Sequence, residues 1–201
     1  MKTPPELGQI NLNSEMGKML YEIALKDGIN RIVEIGTWNG CGSTYCLARG
    51  IFDSKKENAI FYSLESNQEF FSKAQSLYDD LDFCKVIHGR ILDLEEMIHK
   101  PEDFQPPQKD WLIQDIKALN SCPNVFNQLP IEIDLLLLDG GEFSTLVEYR
   151  KLKDRVSQYI ALDDTLVLKN SEVEKDLESD KAFDCVHKSS DRNGWSIFKR
   201  K

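Results

Sequence analysis

The stretch from Arg31 to Ser43, Arg-Ile-Val-Glu-Ile-Gly-Thr-Trp-Asn-Gly-Cys-Gly-Ser, constrains this chain more than any other. Ile32, Val33 and Ile35 have the stiff, β-branched side chains that suit a strand covered on both faces. The run then passes into a turn where Gly36, Gly40 and Gly42 let the backbone approach a ligand that a Cβ would exclude. Ser43 and Thr44 are expected to cap a helix through Tyr45, Cys46, Leu47 and Ala48. Taken alone, the motif also fits a tight strand-to-helix turn with nothing bound, so the rest of the chain has to decide.

Upstream, Met16, Leu20, Ile23 and Leu25 repeat at helical spacing behind the capping residues Asn13 and Ser14, and Gly28 closes the element. Residues 1–28 thus read as an irregular lead-in followed by one helix. Downstream, Ala59–Glu65 reads as a second buried strand, and Ser66-Asn-Gln-Glu69 has capping-box spacing before an apolar stripe of Phe70, Ala74 and Leu77. Phe83–His88 makes a third strand. The alternation stops across residues 92–130, where Pro101, Pro106 and Pro107 precede a helix expected over Asp110–Leu119. Loops this long in compact folds are often functional, and a lid carrying Trp111, Leu112, Ile116 and Leu119 or a helix packed on the sheet both fit. Ile131–Leu138 is the clearest buried strand and stops at Asp139-Gly-Gly-Glu142; a helix with Phe143, Leu146 and Val147 inward follows. Val156–Leu162 is a fifth strand that ends in Asp163 and Asp164. A helix over Ser171–Leu177, with Ser171 and Glu174 at capping-box spacing, leads to two alternating strands around an Asn193-Gly194 hairpin signal.

This pattern predicts an α/β fold, a doubly wound, mostly parallel seven-stranded sheet with helices on both faces and a C-terminal antiparallel hairpin, in one domain over residues 1–201. In such sheets ligands bind beyond the carboxyl ends of the strands, near the point where strand order reverses. Those ends carry Glu34, Glu65, Asp139, Asp163 and Asp164.

Composition narrows the function classes. The 201 residues are 41% apolar, enough for a sizeable core, and the net charge of −9 disfavours a protein that grips phosphate backbones. No apolar run approaches the ~20 residues of a membrane span, and the first residues lack the apolar middle region of a signal peptide. Five cysteines without a C-x-x-C pair indicate neither a disulfide framework nor a zinc cage and fit a reducing cytoplasm. Cys41 lies in the turn but has no histidine near it in sequence; His88, His99 and His187 read as structural or surface residues.

The ordered set Glu34-x-Gly36-Thr37-Trp38-x-Gly40, Glu65, Asp139, Asp163-Asp164 and the terminal hairpin resembles the class I S-adenosylmethionine-dependent methyltransferases over residues 14–200. The aromatic within the first motif resembles the catechol O-methyltransferase-like, small-molecule branch. The resemblance implies a cofactor site of Glu34, Gly36, Thr37, Trp38, Gly40, Ser43, Glu65, Ser66, Gly89, Arg90, Ile91 and Asp139. In it Glu65 takes the ribose hydroxyls and Gly89, Arg90 and Ile91 frame adenine. Acidic groups and free backbone amides suit a sulfonium cation with an amino-acid end better than a basic cradle would.

The same resemblance implies a Mg²⁺ site of Asp139, Asp163 and Asp164 that orients an acceptor hydroxyl and lowers its pKa. Neighbouring parallel strands lie about 4.8 Å apart, so acids leaving their ends can converge on one ion. For the catalytic role Asp139 and Glu142 are the candidates. Relatives place a lysine or histidine where Glu142 stands, so Glu142 remains open as a base, a metal ligand or a first-turn helix acid.

The leading expectation is O-methylation of a small polar or sugar-type metabolite with S-adenosylmethionine, with Mg²⁺ assistance. Nucleic acid is an unexpected acceptor, because Asp139-Gly-Gly-Glu142 replaces the Asn/Asp-Pro-Pro-aromatic motif of base-methylating relatives. No membrane partner is expected; homo-oligomerisation stays open. A non-catalytic binding or scaffold protein and a metal-dependent hydroxylase-like relative are the alternatives. A nicotinamide enzyme fits less well, since the turn offers no G-x-G-x-x-G from its first glycine.

Overall fold

A computed structural model describes residues 1–201. In chain order the elements are α1 (Glu15–Leu25), β1 (Arg31–Ile35), α2 (Ser43–Ser54), β2 (Ile60–Glu65), α3 (Gln68–Tyr78) and β3 (Cys84–His88). Then come α4 (Gln108–Ser121), β4 (Ile133–Leu138), α5 (Thr145–Leu152), β5 (Val156–Asp163), α6 (Leu168–Ser179), β6 (Phe183–Ser189) and β7 (Trp195–Arg200). The strands form one sheet in the order β3-β2-β1-β4-β5-β7-β6, parallel except for β7, which runs against both of its neighbours. The expected doubly wound architecture with a terminal antiparallel hairpin is therefore present.

Alternation along the central strands divides the core in two. Ile32, Leu135 and Leu137 face a cluster completed by Leu20 of α1, Leu47 of α2 and Tyr78 of α3. Val33, Leu136 and Leu138 face the opposite cluster, with Tyr149 of α5 and Leu177 of α6. All six residues of β4 are buried, as a strand covered on both faces must be. The order of strands reverses between β1 and β4, so a crevice opens where these two strands end.

The structure corrects several local expectations. Ser43 and Thr44 are the first residues of α2 rather than its caps; Gly42 is the N-cap, and both hydroxyls point down to Glu34. Asn67, not Ser66, caps α3 by accepting from the amides of Glu69 and Phe70, and the helix buries Ala74 and Tyr78. Helix α6 starts three residues before Ser171, so the Ser171–Glu174 spacing is interior to it. The reason lies in Asn170, whose side-chain amide donates to the carbonyls of Leu138 at 3.0 Å and Asp163 at 2.6 Å and so draws the first turn onto the strand ends. Helix α4 is longer than expected and buries Leu112 and Leu119, whereas Trp111 stays exposed. Ile131 is exposed, and β4 begins two residues later. No helix is long and apolar enough to cross a membrane.

Candidate functional site

The crevice holds a cavity of about 520 Å³, within the range of small-molecule sites. Its first half is set by β1 and β2. Glu34 is completely buried, and its carboxylate accepts from Ser43 at 2.5 Å, Thr44 at 2.7 Å and Ser63 at 2.5 Å. Burial pushes its pKa up to about 7 even though these three hydroxyls favour the ionised form. This network sits under the glycine turn and binds its two sides together. At Gly36 φ is +99° and a Cβ would lie 2.1 Å from the Asp139 carbonyl oxygen, so only glycine lets β1 and β4 end so close together.

Past Gly36, Trp38 takes the left-handed conformation at φ 50°, and its ring packs edge-on against Phe70 with centroids 5.9 Å apart. That geometry turns the Trp38 amide toward Glu65, whose carboxylate accepts from it at 2.7 Å and from the Asn67 amide at 2.8 Å. Two backbone donors thus hold Glu65 in place at the cavity wall, with lone pairs left over for a ligand.

Beyond β3, Gly89, Arg90 and Ile91 all line the cavity. The Arg90 side chain, however, is committed elsewhere: it donates to the carbonyls of Leu92, Leu119 and Cys122. It thereby satisfies the C-terminal end of α4, whose Gln114, Asp115, Ala118 and Leu119 form another wall. Asp115 and Glu148 each carry a buried carboxylate oxygen without a partner in the chain. Burial, then the neighbouring Glu142 charge, raises Asp115 to about 6; burial raises Glu148 to about 8. Both flank the backbone of Gly140 and Gly141, next to Ser144.

The second half lies at the ends of β4 and β5. Asp139, Asp163 and Asp164 each bring a carboxylate oxygen within 4.8 Å of the others. Asp164 is in the left-handed region at φ 58°, which Asp tolerates better than most residues. Lys169, in the first turn of α6, places its ammonium 3.1 Å from Asp139 and 2.7 Å from Asp164. Arg192, from the turn between β6 and β7, pairs with Asp163. Burial raises the pKa of Asp139 and Asp163, the latter to about 7, with mutual repulsion adding to the effect at Asp163. For Asp164 burial pushes upward, but Lys169, with Asn193 and Arg192, together outweigh it and the net shift is downward.

The lead-in closes the remaining side. The Gly8 amide donates to Cys41 at 2.9 Å, Asn39 donates to Glu6 at 2.9 Å, and Gly8, Gln9 and Ile10 line the cavity.

Neither a family model nor a curated protein matches the sequence. Solved structures do. An O-methyltransferase from Bacillus cereus in complex with SAH superposes with a TM-score of 0.66 at 16% identity, over 97% of this chain and 84% of that one. The fold is the Rossmann-like methyltransferase fold. The O-methyltransferase TomG from Streptomyces achromogenes, in complex with SAM, superposes with a TM-score of 0.65 at 15% identity, over 98% and 83% of the two chains. The SAH-bound methyltransferase PaMTH1 of Podospora anserina gives 0.62 at 17%, over 94% and 79%.

Within this methyltransferase fold, Gly36, Thr37, Trp38, Ser43, Glu65, Ser66, Gly89, Arg90, Ile91, Asp139, Asp163 and Asp164 all line the cavity. Three residues named from the sequence do not. Glu34 lies beneath the turn, and Gly40 packs against Ala74 and Tyr78. Glu142 turns toward the start of α6, where the amides of Leu168 and Lys169 offset part of its burial. Cys41 is buried, while His88 bonds the Ser66 carbonyl oxygen at 3.0 Å and stacks on Phe71. Asp115, Ser144, Glu148, Lys169 and Arg192 were missed because each lies in a helix or turn where a polar residue is unremarkable. No spacing or periodicity in the sequence singles them out.

Proposed function

We propose that this chain is an S-adenosylmethionine-dependent methyltransferase that methylates an oxygen of a small polar or sugar-type metabolite. The observation that carries the reading is Glu65. Its carboxylate stands at the end of β2, held at the cavity wall by two backbone amides, where a ligand with a vicinal diol can be gripped by both oxygens. The orphaned oxygen of Asp115 calls for a ligand with an N–H or O–H donor, and the exocyclic amine of an adenine group is of that kind, while a neutral Glu148 carboxyl can itself donate to a ligand. The cofactor supplies an electrophilic methyl group on a sulfonium. Everything else is alignment and exclusion of water, which methyl displacement requires. The Gly36 to Ser43 turn, Ile91 and α4 enclose one end of the cavity, and Asp139, Asp163, Asp164, Lys169 and Arg192 form the other, where the acceptor oxygen is positioned. Of the two acids considered as catalytic, Asp139 faces this end and Glu142 does not. The acidic balance supports a small acceptor rather than a nucleic acid.

The three acids do not fit a resident Mg²⁺ as they stand. Mg²⁺ takes oxygen ligands at about 2.1 Å, whereas the Lys169 ammonium already stands between Asp139 and Asp164, bonded to one oxygen of each. No step therefore passes through a metal.

Calorimetry with S-adenosylhomocysteine and with NAD tests the reading. Saturable binding of the first and none of the second is expected; the reverse, or no binding of either, would overturn it.

A further inference from the structure

We propose that Lys169 is the fixed cation of the acceptor end, occupying the place between Asp139 and Asp164 that a divalent ion would otherwise take. The term "acceptor end" rests on the methyltransferase reading; the position and consequence of the cation do not. Three acids from two strand ends, with oxygens no more than 4.8 Å apart, converge as they would around an ion. The Lys169 side chain is only 13% exposed, and its ammonium bonds one oxygen of Asp139 and one of Asp164.

The placement is enforced by the backbone rather than left to a flexible stem. Asp164 is turned back by its left-handed conformation. Asn170, adjacent to the lysine, ties the start of α6 to the carbonyls of both β4 and β5. The first helical turn therefore delivers Lys169 over the strand ends as part of the fold.

Charge supports the same assignment. Three carboxylates face two fixed cations, Lys169 and Arg192, which leaves at most one negative charge when all three acids are ionised. A single sulfonium balances that charge, whereas a divalent ion added to the ring would leave it with a net charge of about +1. An ammonium has three N–H donors, and two are used here. The third is available to the cavity that Lys169 lines, where it can hold a hydroxyl oxygen as a metal would, without a metal's power to generate an alkoxide.

The test is Mn²⁺ titration of the full chain, followed by calorimetry and by paramagnetic broadening, in the wild type, Asp164→Asn, Lys169→Met and the double variant Lys169→Met/Asp164→Asn. The wild type is expected to bind no Mn²⁺ up to millimolar concentration. Lys169→Met should gain a single site at least roughly tenfold tighter than any wild-type binding, equivalent to about 1.4 kcal/mol. The double variant should lose it again. Wild-type Mn²⁺ binding that Asp164→Asn abolishes would overturn the proposal, because the lysine would then yield to the metal. So would a folded Lys169→Met that gains no site. If Lys169→Met does not fold, the wild-type titration with its Asp164→Asn control still decides. S-adenosylhomocysteine binding, measured on the same samples, reports separately on the methyltransferase reading.

Discussion

The two halves of the cavity solve the problem of a buried carboxylate in opposite ways. At the end of β1, Glu34 is surrounded by three hydroxyls and no cation, and burial moves it toward the neutral form near pH 7. At the end of β5, Asp164 is held ionised by an ammonium 2.7 Å away. The hydroxyl network is a short-range, shape-defining device that fixes the glycine turn. The ion-pair cluster keeps fixed charge at the cavity, where a reacting group can use it. A neutral network tolerates dense packing around it, while an ion pair has to be matched charge for charge.

The strongest way to break the first half is Gly36→Ala. A Cβ there would sit 2.1 Å from the Asp139 carbonyl oxygen at a φ of +99°. We expect destabilisation above about 4 kcal/mol, or failure to fold, by denaturant titration. Behaviour like the wild type would mean that the two strand ends are not clamped together.

Breaking the second half comes next. Lys169→Ala leaves Asp139 and Asp164 facing each other without their cation, and a loss of about 3 kcal/mol is expected from chemical denaturation. Adding Asp164→Asn to it should restore part of that loss. Additive losses in the double variant would count against a shared ion-pair cluster.

Glu65→Ala sharpens the comparison from the ligand side. It should weaken S-adenosylhomocysteine binding by about 1 to 3 kcal/mol in calorimetry, the usual penalty for unpaired polar partners, while leaving the Lys169 cluster unaltered. Unchanged affinity would remove Glu65 from the cofactor site.

The gentlest probe is pH. Glu34 and Glu148 have pKa values raised above the ordinary 4.5, to about 7 and about 8. The folded state therefore binds protons more tightly than the unfolded chain. Their contribution is fully present below about pH 4.5 and fades as pH rises toward 8, by at most about 1.4 kcal/mol per pH unit for each group. Asp164 has the opposite sign: its pKa is lowered, so its contribution is present above its ordinary 3.8 and is lost as the medium becomes more acid. Glu148→Gln should flatten the alkaline side of a stability profile and leave the acid side alone. An unchanged slope between pH 5 and 8 would show that Glu148 is ionised in the fold.

Legibility in the sequence follows the same division. The first half is dominated by one continuous stretch, Arg31 to Ser43, and by an acid at the next strand end, so strand periodicity and glycine spacing expose it. Even there Glu34 and Gly40 proved to support the turn rather than line the cavity, because sequence shows which residue types gather but not which way they face. The second half is assembled from Asp139, the Asp163 to Lys169 segment and Arg192, stretches separated by at least twenty residues. The acids were legible as strand-end residues, but their cations were not. A lysine in a first helical turn and an arginine in a hairpin have many surface uses, and only the path of α6 and the pairing of β7 reveal what they meet. The fold itself was more legible than either half, since seven strands with their intervening helices leave a long periodic record, and misjudged starts such as those of α4 and α6 do not disturb it.

The direction of β7 has a consequence for how such a protein can be remodelled. Because this strand runs against β5, Trp195 lies opposite Asp163, and the tip of the hairpin returns to the same rim as the strand ends that hold the cavity. A parallel seventh strand would have sent that tip to the far side of the sheet. The hairpin tip is thus built into the cavity rim: the Thr165 and Leu166 amides donate to the carbonyls of Gly194 and Asn193, and Arg192 pairs with Asp163. A change of charge at Arg192 would alter what meets Asp163 without touching the glycine turn or Glu65, which come from an earlier part of the sequence.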